Sequence, residues 1–478
     1  MRIALAMLPC WSVFTPPMGL SYIARVLREA GHAVTVFDLN ARLWRAMQGR
    51  NEEDWWEFAQ YERWQNPQIF EEQTLPVVKP LLDSLLKEIV SRGFEAVGFS
   101  LFHTSAPCVR YASKMLKEIS PGMKIVWGGP ACTPHFVRDD LEAKTVDAVV
   151  LGEGEATAPE LFAALANEEP FAGMAGVAAR GADGKIICGK KRPPVLEVPL
   201  PCYDDYDLSL YRFSQLPIMM SRGCVGACTF CQETVFFKPY RMRPAKSIVE
   251  EIEQGIKQYG IRDFSTCDSL LNGNHPILEQ VADLICERRL DICWGGYARI
   301  DSRLTPELLA KLKKAGCKWL SFGLESGSQK VLDLMNKGIA VEQAVATIKA
   351  TFEAGIETHI NLIVGFPGET EADFDLTLDF ISENWPFISL VNTGETLGVG
   401  PGMTLFEKPK AFGLLTDKNG QVAFDITGGW MTADGSNTLA VRRFRLKKLR
   451  RLCRDLGLEW TPQSREDAPV SSRNGEEQ

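Results

Sequence analysis

The sequence predicts an α/β protein of two domains, an N-terminal doubly wound, Rossmann-like sheet followed by a partial (β/α)6 TIM-like barrel, with a small helical C-terminal region. Two runs of short apolar strands alternating with amphipathic helices predict this, one over 1–166 and one over 216–400. A Pro-rich stretch of different character separates them. The second run holds six β/α repeats, too few for the closed eight-fold barrel, so an open barrel is expected.

In the first run, strands are expected at 2–8, 33–38, 96–100, 124–127 and 146–151, with helices at 18–30, 78–91 and 107–119. Ligands of doubly wound sheets sit at the carboxyl ends of the strands. The candidate binding residues are therefore Asp38, Asn40, Ser100, Thr104, Gly128, Gly129, Gly152, Glu153 and Gly154. Glycine lets backbone approach a ligand, and Ser or Thr can bond to phosphate or amide groups. Each short loop taken alone reads equally well as a simple turn. The insert at 44–73 concentrates Trp44, Trp55, Trp56, Phe58, Tyr61, Trp64 and Phe70 in an acidic segment. It suggests a helical cap that packs on something large and flat, or against the second domain. Residues 167–215 read as a linker with a hairpin turning at Asp183-Gly184.

The second run places strands at 217–221, 263–267, 292–298, 319–324, 358–364 and 388–393, with helices at 247–259, 277–288, 306–315, 341–354 and 371–382. The C-terminal region, 401–461, carries a basic helix at 438–456 with Phe444, Leu449, Leu452 and Leu456 on one side. The polar tail at 462–478 is expected to be disordered.

A net charge of -8 on 478 residues argues against nucleic-acid binding through a basic surface. No run of about 18 apolar residues occurs, so no membrane span is expected. The N-terminus shows no cleavage-site pattern, and a cytoplasmic protein is expected. In a reducing compartment its 13 cysteines read as buried thiols and metal ligands.

Three of them carry chemistry. Cys224, Cys228 and Cys231 stand in C-x3-C-x2-C spacing within SRGCVGACTFCQE. Three thiolates in so short a loop suit three irons of a 4Fe-4S cubane, and the fourth iron is left open for a substrate or cofactor. A zinc knuckle would need a fourth Cys or His close by in sequence, and the histidines stand at 32, 103, 135, 275 and 359.

This loop, following a barrel strand and carrying Phe230 before its last cysteine, resembles that of the radical SAM enzymes. The resemblance implies that Cys224, Cys228 and Cys231 are the cluster's metal ligands. S-adenosyl-L-methionine (SAM) would bind the open iron and be cleaved to methionine and a 5'-deoxyadenosyl radical. It further implies SAM contacts from Phe230, from Asp268 at the second strand, from Arg299 in YARID, from Glu325 and Ser326 in SFGLESGSQKVLDLMNKG, and from Ile363 in NLIVGFPGET. Cys267 departs from the family by standing where an aspartate is common.

With a doubly wound domain ahead of the barrel, carrying PPMGLSYIARVLREAGHAVTVFDLN and the GGP and LGEGE turns, nearly the whole chain resembles the cobalamin (B12)-dependent class. The first domain is then a cobalamin-binding domain. The chain lacks Asp-x-His-x-x-Gly, which implies cobalamin bound without a histidine ligand on its lower face. The implied activity is C-methyl transfer. A substrate radical formed at an unactivated carbon would take a methyl that came from a second SAM through methylcobalamin. The substrate would be a small molecule, peptide or lipid, and an external one-electron reductant such as flavodoxin or ferredoxin is implied. Such chemistry is oxygen-sensitive. The alternative within the class is a radical cyclase or ring-rearrangement enzyme that transfers no methyl.

Overall fold

The computed structural model describes residues 1–57, 60–195, 197–394, 397–425 and 429–461. The chain divides into two compact units, Met1–Pro217 and Ile218–Gln478.

The first unit is a seven-stranded sheet in the order β2-β1-β3-β4-β5-β6-β7. Its strands are β1 (Arg2–Met7), β2 (Ala33–Asp38), β3 (Ala96–Ser100), β4 (Lys124–Gly128), β5 (Ala148–Val150), β6 (Val177–Arg180) and β7 (Ile186–Cys188). Strands β1 to β5 pair in parallel, with Ile3 opposite both Val34 and Ala96. Helices α1 (Met18–Glu29), α2 (Leu39–Met47), α3 (Leu75–Ser91), α4 (Ala106–Ile119) and α5 (Thr157–Ala166) complete the unit. From Ile3 to Met7 every residue of β1 is buried, the pattern of a parallel strand covered on both faces.

Two readings are corrected here. The hairpin of 167–215 is part of the sheet: β6 pairs antiparallel with β5, and β7 with β6, across a turn that Gly184 makes at φ +81°. The aromatic insert builds the core of its own unit. Trp44, Trp56, Trp64 and Phe70 are all buried among the residues of α2, α3 and β1, and Trp64 Nε1 donates to Trp55 O at 2.7 Å. Rings of this size lose most when exposed, and the apolar faces of α2 and α3 are adjacent. Phe58 lies outside the described residues.

In the second unit the strands are β8 (Leu216–Ile218), β9 (Ser221–Arg222), β10 (Arg241–Met242), β11 (Asp263–Thr266), β12 (Cys293–Ala298), β13 (Cys317–Glu325), β14 (Glu357–Leu362), β15 (Leu390–Thr393) and β16 (Glu459–Thr461). The sheet order is β16-β15-β14-β13-β12-β11-β8, with β9 and β10 forming a separate antiparallel ribbon. Helices α6 (Ala245–Tyr259), α7 (His275–Glu287), α8 (Pro306–Lys314), α9 (Val341–Glu353), α10 (Glu371–Asn384) and α11 (Leu439–Asp455) follow. Sequence chemistry sets several helix starts: Asn274, Thr305 and Thr438 cap α7, α8 and α11, and Thr370 with Asp373 forms a capping box on α10.

The sheet has one strand more than the six expected. Strand β16, from the C-terminal region, adds in parallel to β15 with Val391 opposite Trp460. Three residues are too few to show a period in sequence. The basic helix also buries a different face from the one expected. Arg442, Arg445, Leu446, Leu449 and Cys453 are buried on α11, whereas Phe444 is 59% exposed. Two arginines go inward because they find partners there, described below. The tail at 462–478 lies outside the described residues.

Candidate functional site

The cysteine loop leaves β9 and ends at the helical turn Glu233–Phe236. All three thiols are partly buried. The Gly226 N–H points to Cys224 Sγ at 3.3 Å, and the Glu233 N–H to Cys231 Sγ at 3.4 Å. Burial raises the Cys231 pKa, and the neighbouring Cys228 and Cys224 raise it further. A thiol placed like Cys231 ionises reluctantly by itself and gains from a nearby cation, which is what iron supplies. A Cβ at Gly226 would make ordinary contacts with Cys224 Sγ at 3.5 Å and Cys228 Sγ at 3.6 Å and a tight one with Arg299 Nη1 at 3.1 Å, which places the guanidinium beside two of the thiols. Among the described residues no three side chains stand close enough together to hold a metal ion, so what fits a cluster is the donor chemistry, three half-buried thiols in one short loop with the Arg299 guanidinium beside it.

Contacts from distant chain hold the loop. The Thr229 N–H donates to Met335 O at 2.9 Å, Asn336 Nδ2 to Ala227 O at 2.9 Å, and the Leu405 N–H to Thr229 O at 3.1 Å. Beneath it, Asp268 is 2% exposed and accepts from the backbone N–H groups of Met220, at 3.0 Å, and Ser221. Burial raises the Asp268 pKa to about 7 against the pull of those bonds. Asp268, expected to contact SAM, here braces the strand that delivers the loop through these two backbone bonds.

Arg299 reaches the loop from the end of β12. Its backbone is gripped by Asn272, whose Nδ2 donates to Arg299 O at 2.9 Å and whose Oδ1 accepts from Arg299 N at 2.8 Å. Glu325 ends β13 at φ +70°, an uncommon conformation for a residue with a Cβ. Its carbonyl accepts from Ile363 N at 2.9 Å, and its carboxylate pairs with Lys337 Nζ at 2.8 Å, both side chains largely buried. A Cβ at Gly323 would meet Glu325 Oε1 at 2.5 Å and Lys337 Nζ at 2.7 Å, so glycine makes room for the pair. Lys337 Nζ also lies 5.8 Å from the centre of the Phe230 ring. Phe230 and Ile363 pack on one apolar cluster with Val331, Met335, Phe366 and Leu405.

The structure thus gathers Cys224, Cys228, Phe230, Arg299, Glu325 and Ile363 into one neighbourhood. Ser326 is the exception. It is fully buried, its hydroxyl lies 3.3 Å from Thr377 Oγ1 on α10, and it accepts from Ser328 N at 3.1 Å, so it serves the interior. Three residues escaped the sequence reading: Gly226, Asn272 and Lys337. Gly226 lay in plain view between two ligands, whereas the other two become visible only through their partners.

In the first unit the nine candidates do collect at the carboxyl edge of the sheet, but most of their polar groups are already engaged. Asp38 caps α2 through Ala41 N at 2.8 Å and accepts from Tyr211 Oη at 2.6 Å, while burial raises its pKa to about 6. Asn40 bonds to Trp11 and to Trp56 Nε1, Thr104 Oγ1 donates to Cys10 O at 2.5 Å, and Glu153 accepts from Val195 N at 2.9 Å. In this structure these four side chains serve the scaffold through those bonds. Gly129, at φ +113°, has no room for a Cβ, which would sit 2.8 Å from Leu101 O, and a Cβ on Gly154 would meet Ile23 at 2.9 Å. Ser100 and Gly128 end adjacent strands in register. Gly152, at φ +77°, has open space around it and remains available to a ligand.

The radical SAM superfamily model matches residues 218–381, and the B12 binding domain model matches 68–162. The chain belongs to the cobalamin-dependent radical SAM enzymes, whose cofactors are a 4Fe-4S cluster, SAM and cobalamin. An uncharacterized methyltransferase of Pyrococcus horikoshii is 28% identical over 373 residues, covering 76% of this chain and 72% of the other. The anaerobic magnesium-protoporphyrin IX monomethyl ester cyclase of Rubrivivax gelatinosus is 29% identical over 285 residues, covering 57% of this chain and 51% of the other, so the match spans about half of that cyclase. Among solved structures, the radical SAM methyltransferase TsrM of Kitasatospora setae, with cobalamin and a 4Fe-4S cluster bound, superposes with a TM-score of 0.64 at 19% identity. That alignment covers 86% of this chain and 75% of TsrM. Among the described residues, no helix is long and apolar enough to cross a membrane.

Proposed function

We propose that this enzyme is a C-methyltransferase that moves a methyl group from SAM, by way of cobalamin, to an unactivated carbon of a small molecule, peptide or lipid. The observation that carries the reading is the pairing of the two domains in one chain, together with a methyltransferase relative aligned over most of both lengths. With the cofactors bound, the cluster and SAM supply a carbon-centred radical and cobalamin supplies a methyl carrier.

The chain's own residues supply position and charge. Cys224, Cys228 and Cys231 would hold the cluster, with two backbone N–H groups directed at the sulfurs. Arg299, fixed at its backbone by Asn272, offsets the thiolate charge and offers a partner for the SAM carboxylate. Glu325 and Lys337 present opposite charges on a short buried scaffold, suited to an amino acid's ammonium and carboxylate groups. Phe230 and Ile363 provide an apolar wall for adenine. An external one-electron donor of the flavodoxin or ferredoxin type completes the requirements.

Anaerobic incubation of the reconstituted enzyme with CD3-labelled SAM and cobalamin tests the reading. Cobalamin-dependent release of S-adenosylhomocysteine, alongside 5'-deoxyadenosine, supports methyl transfer. The cyclase relative motivates a second reading, cyclisation without methyl transfer. Deoxyadenosine with no S-adenosylhomocysteine would replace the first reading with the second.

A further inference from the structure

Along the strands of the second sheet, side chains alternate between a face covered by helices and a face that is not. On the covered face Phe264, Trp294, Leu320, Ile360 and Val391 are all buried, as a parallel sheet requires. The other face is only partly enclosed. Tyr297 is 48% exposed, Cys267 is exposed, and Trp319, His359, Asn361 and Asn392 are half-buried. A closed barrel fills its interior with layers of Val, Ile and Leu. Here aromatic and amide side chains take most of those places and leave room among themselves, so the face is built to receive a ligand.

Two residues give it its chemistry. Tyr297 presents a ring, braced edge-on by Trp319 with centroids 6.4 Å apart and planes at 82°, while Trp319 lies parallel to His359 at 5.3 Å. Gly295 makes this possible, since a Cβ there would sit 2.5 Å from the Trp319 ring. Asn361 presents a donor. The Thr461 hydroxyl donates to Asn392 Oδ1, Asn392 Nδ2 donates to Ser321 Oγ at 3.3 Å, and the Ser321 hydroxyl, itself buried, donates to Asn361 Oδ1 at 3.2 Å. This relay across four strands uses the carbonyl side of the Asn361 amide, and among the described residues its Nδ2 meets no acceptor. Charge is confined to the ends of the face. Asp263, Glu357 and Glu459 stand at its amino end, and Arg299 and the Glu325–Lys337 pair at its carboxyl end. Burial holds the His359 pKa below its usual value, so that ring is neutral at neutral pH.

Tyr297 stands two residues before Arg299, and Asn361 two before Ile363, so both lie on the same face one step beneath those SAM-site residues. They are two strands apart, a gap of about 10 Å that a fused ring system spans. We propose that Tyr297 and Asn361 bind the methyl-accepting substrate, and that this substrate presents to them a flat, uncharged ring system carrying a hydrogen-bond acceptor. The ring lies on the open side of Tyr297, and its acceptor takes the Asn361 amide N–H. A phosphate or carboxylate at this level would be desolvated without a cation to meet. The inference rests on the methyltransferase reading and narrows its substrate to conjugated ring compounds.

The test uses the full chain with its cluster reconstituted and SAM bound, and quinolin-2-one as the probe, a flat uncharged bicycle with a carbonyl acceptor. Kd is read by equilibrium dialysis. Wild type should bind quinolin-2-one more tightly than its saturated counterpart, decahydroquinolin-2-one, and more tightly than the anion quinoline-2-carboxylate. Tyr297→Leu and Asn361→Leu should each weaken quinolin-2-one about fivefold and leave the Kd for SAM unchanged. Tyr297→Phe, which keeps the ring, should stay close to wild type. Where Asn361→Leu fails to fold, Asn361→Asp removes the donor with little change of shape and should show the same loss. A wild type without preference for the flat neutral probe, or affinities unaltered in the Leu and Asp variants, would overturn the proposal. Methyl transfer is scored apart, by cobalamin-dependent release of S-adenosylhomocysteine. Its absence with the ring preference intact would overturn the methyltransferase reading and leave the ring site standing.

Discussion

Replacing Arg445 by methionine should unlatch the loop that follows β14. Arg445 lies on α11, 4% exposed, with Nη1 2.9 Å from Glu369 Oε2 and Nε 3.0 Å from Glu371 Oε2. The Glu369 carboxylate, itself enclosed, also accepts from Gly365 N at 2.8 Å. Arg442 secures the same loop: it donates to Asn437 Oδ1 at 3.1 Å, Asn437 Nδ2 donates to Gly365 O at 3.1 Å, and the guanidinium lies 3.8 Å from the Trp430 ring centre. Removing one partner of a buried pair costs about 3–5 kcal/mol, because the other charge is left without compensation.

The pH dependence sharpens the test. Burial raises the Glu369 pKa from 4.5 to about 7, with Arg445 and the Gly365 N–H holding it back. Since the folded pKa is the higher one, the folded state holds more protons between those values. The stability this group contributes is present below about pH 4.5 and is lost as pH rises through about 7, at no more than about 1.4 kcal/mol per unit. Without Arg445 the folded pKa climbs further, so the variant keeps losing stability above pH 7, where wild type has levelled. Urea midpoints followed by circular dichroism at pH 6 and pH 8.5 should show a deficit that widens at the higher pH. Glu369→Gln combined with Arg445→Met should recover most of it. A deficit equal at both pH values, or below about 1 kcal/mol, would refute the claim that a buried ion pair latches this loop.

Two further outcomes follow from the site. Gly226→Ala sets a methyl group 3.1 Å from Arg299 Nη1, displacing the guanidinium from beside the thiols, so iron and sulfide content after reconstitution should fall with little change in the far-ultraviolet spectrum. Lys337→Met leaves the Glu325 carboxylate buried and unpaired. It should weaken SAM binding at least tenfold, about 1.4 kcal/mol, as read by calorimetry on the cluster-loaded enzyme, while Lys337→Arg keeps a larger share of the affinity.

Much of this was legible in one dimension. The cysteine spacing identifies a local site, since three ligands within eight residues need no help from distant chain to meet. Strand and helix patterns located nearly every element of both sheets, because the helices are wetted on one side and buried on the other while the parallel strands, covered on both faces, read as short apolar runs. Where the sequence was silent about a side chain's partner, that partner was remote. Asn40, Asp38 and Thr104 stood at the right strand ends, yet their polar atoms went to Trp11, Tyr211 and Cys10. Ser326 sat in a motif but turned into α10.

By itself, then, the sequence determined the two α/β runs, the closely spaced trio of thiols and the family resemblance, all of which rest on contacts or periods between near neighbours. Tertiary structure alone decided that the aromatic insert is core, that β16 completes the second sheet, and that Arg442 and Arg445 point inward. It also decided that Lys337 answers Glu325. Each of those outcomes depends on a buried polar or aromatic group finding its complement far along the chain, and such pairings leave no period or spacing in the sequence to read.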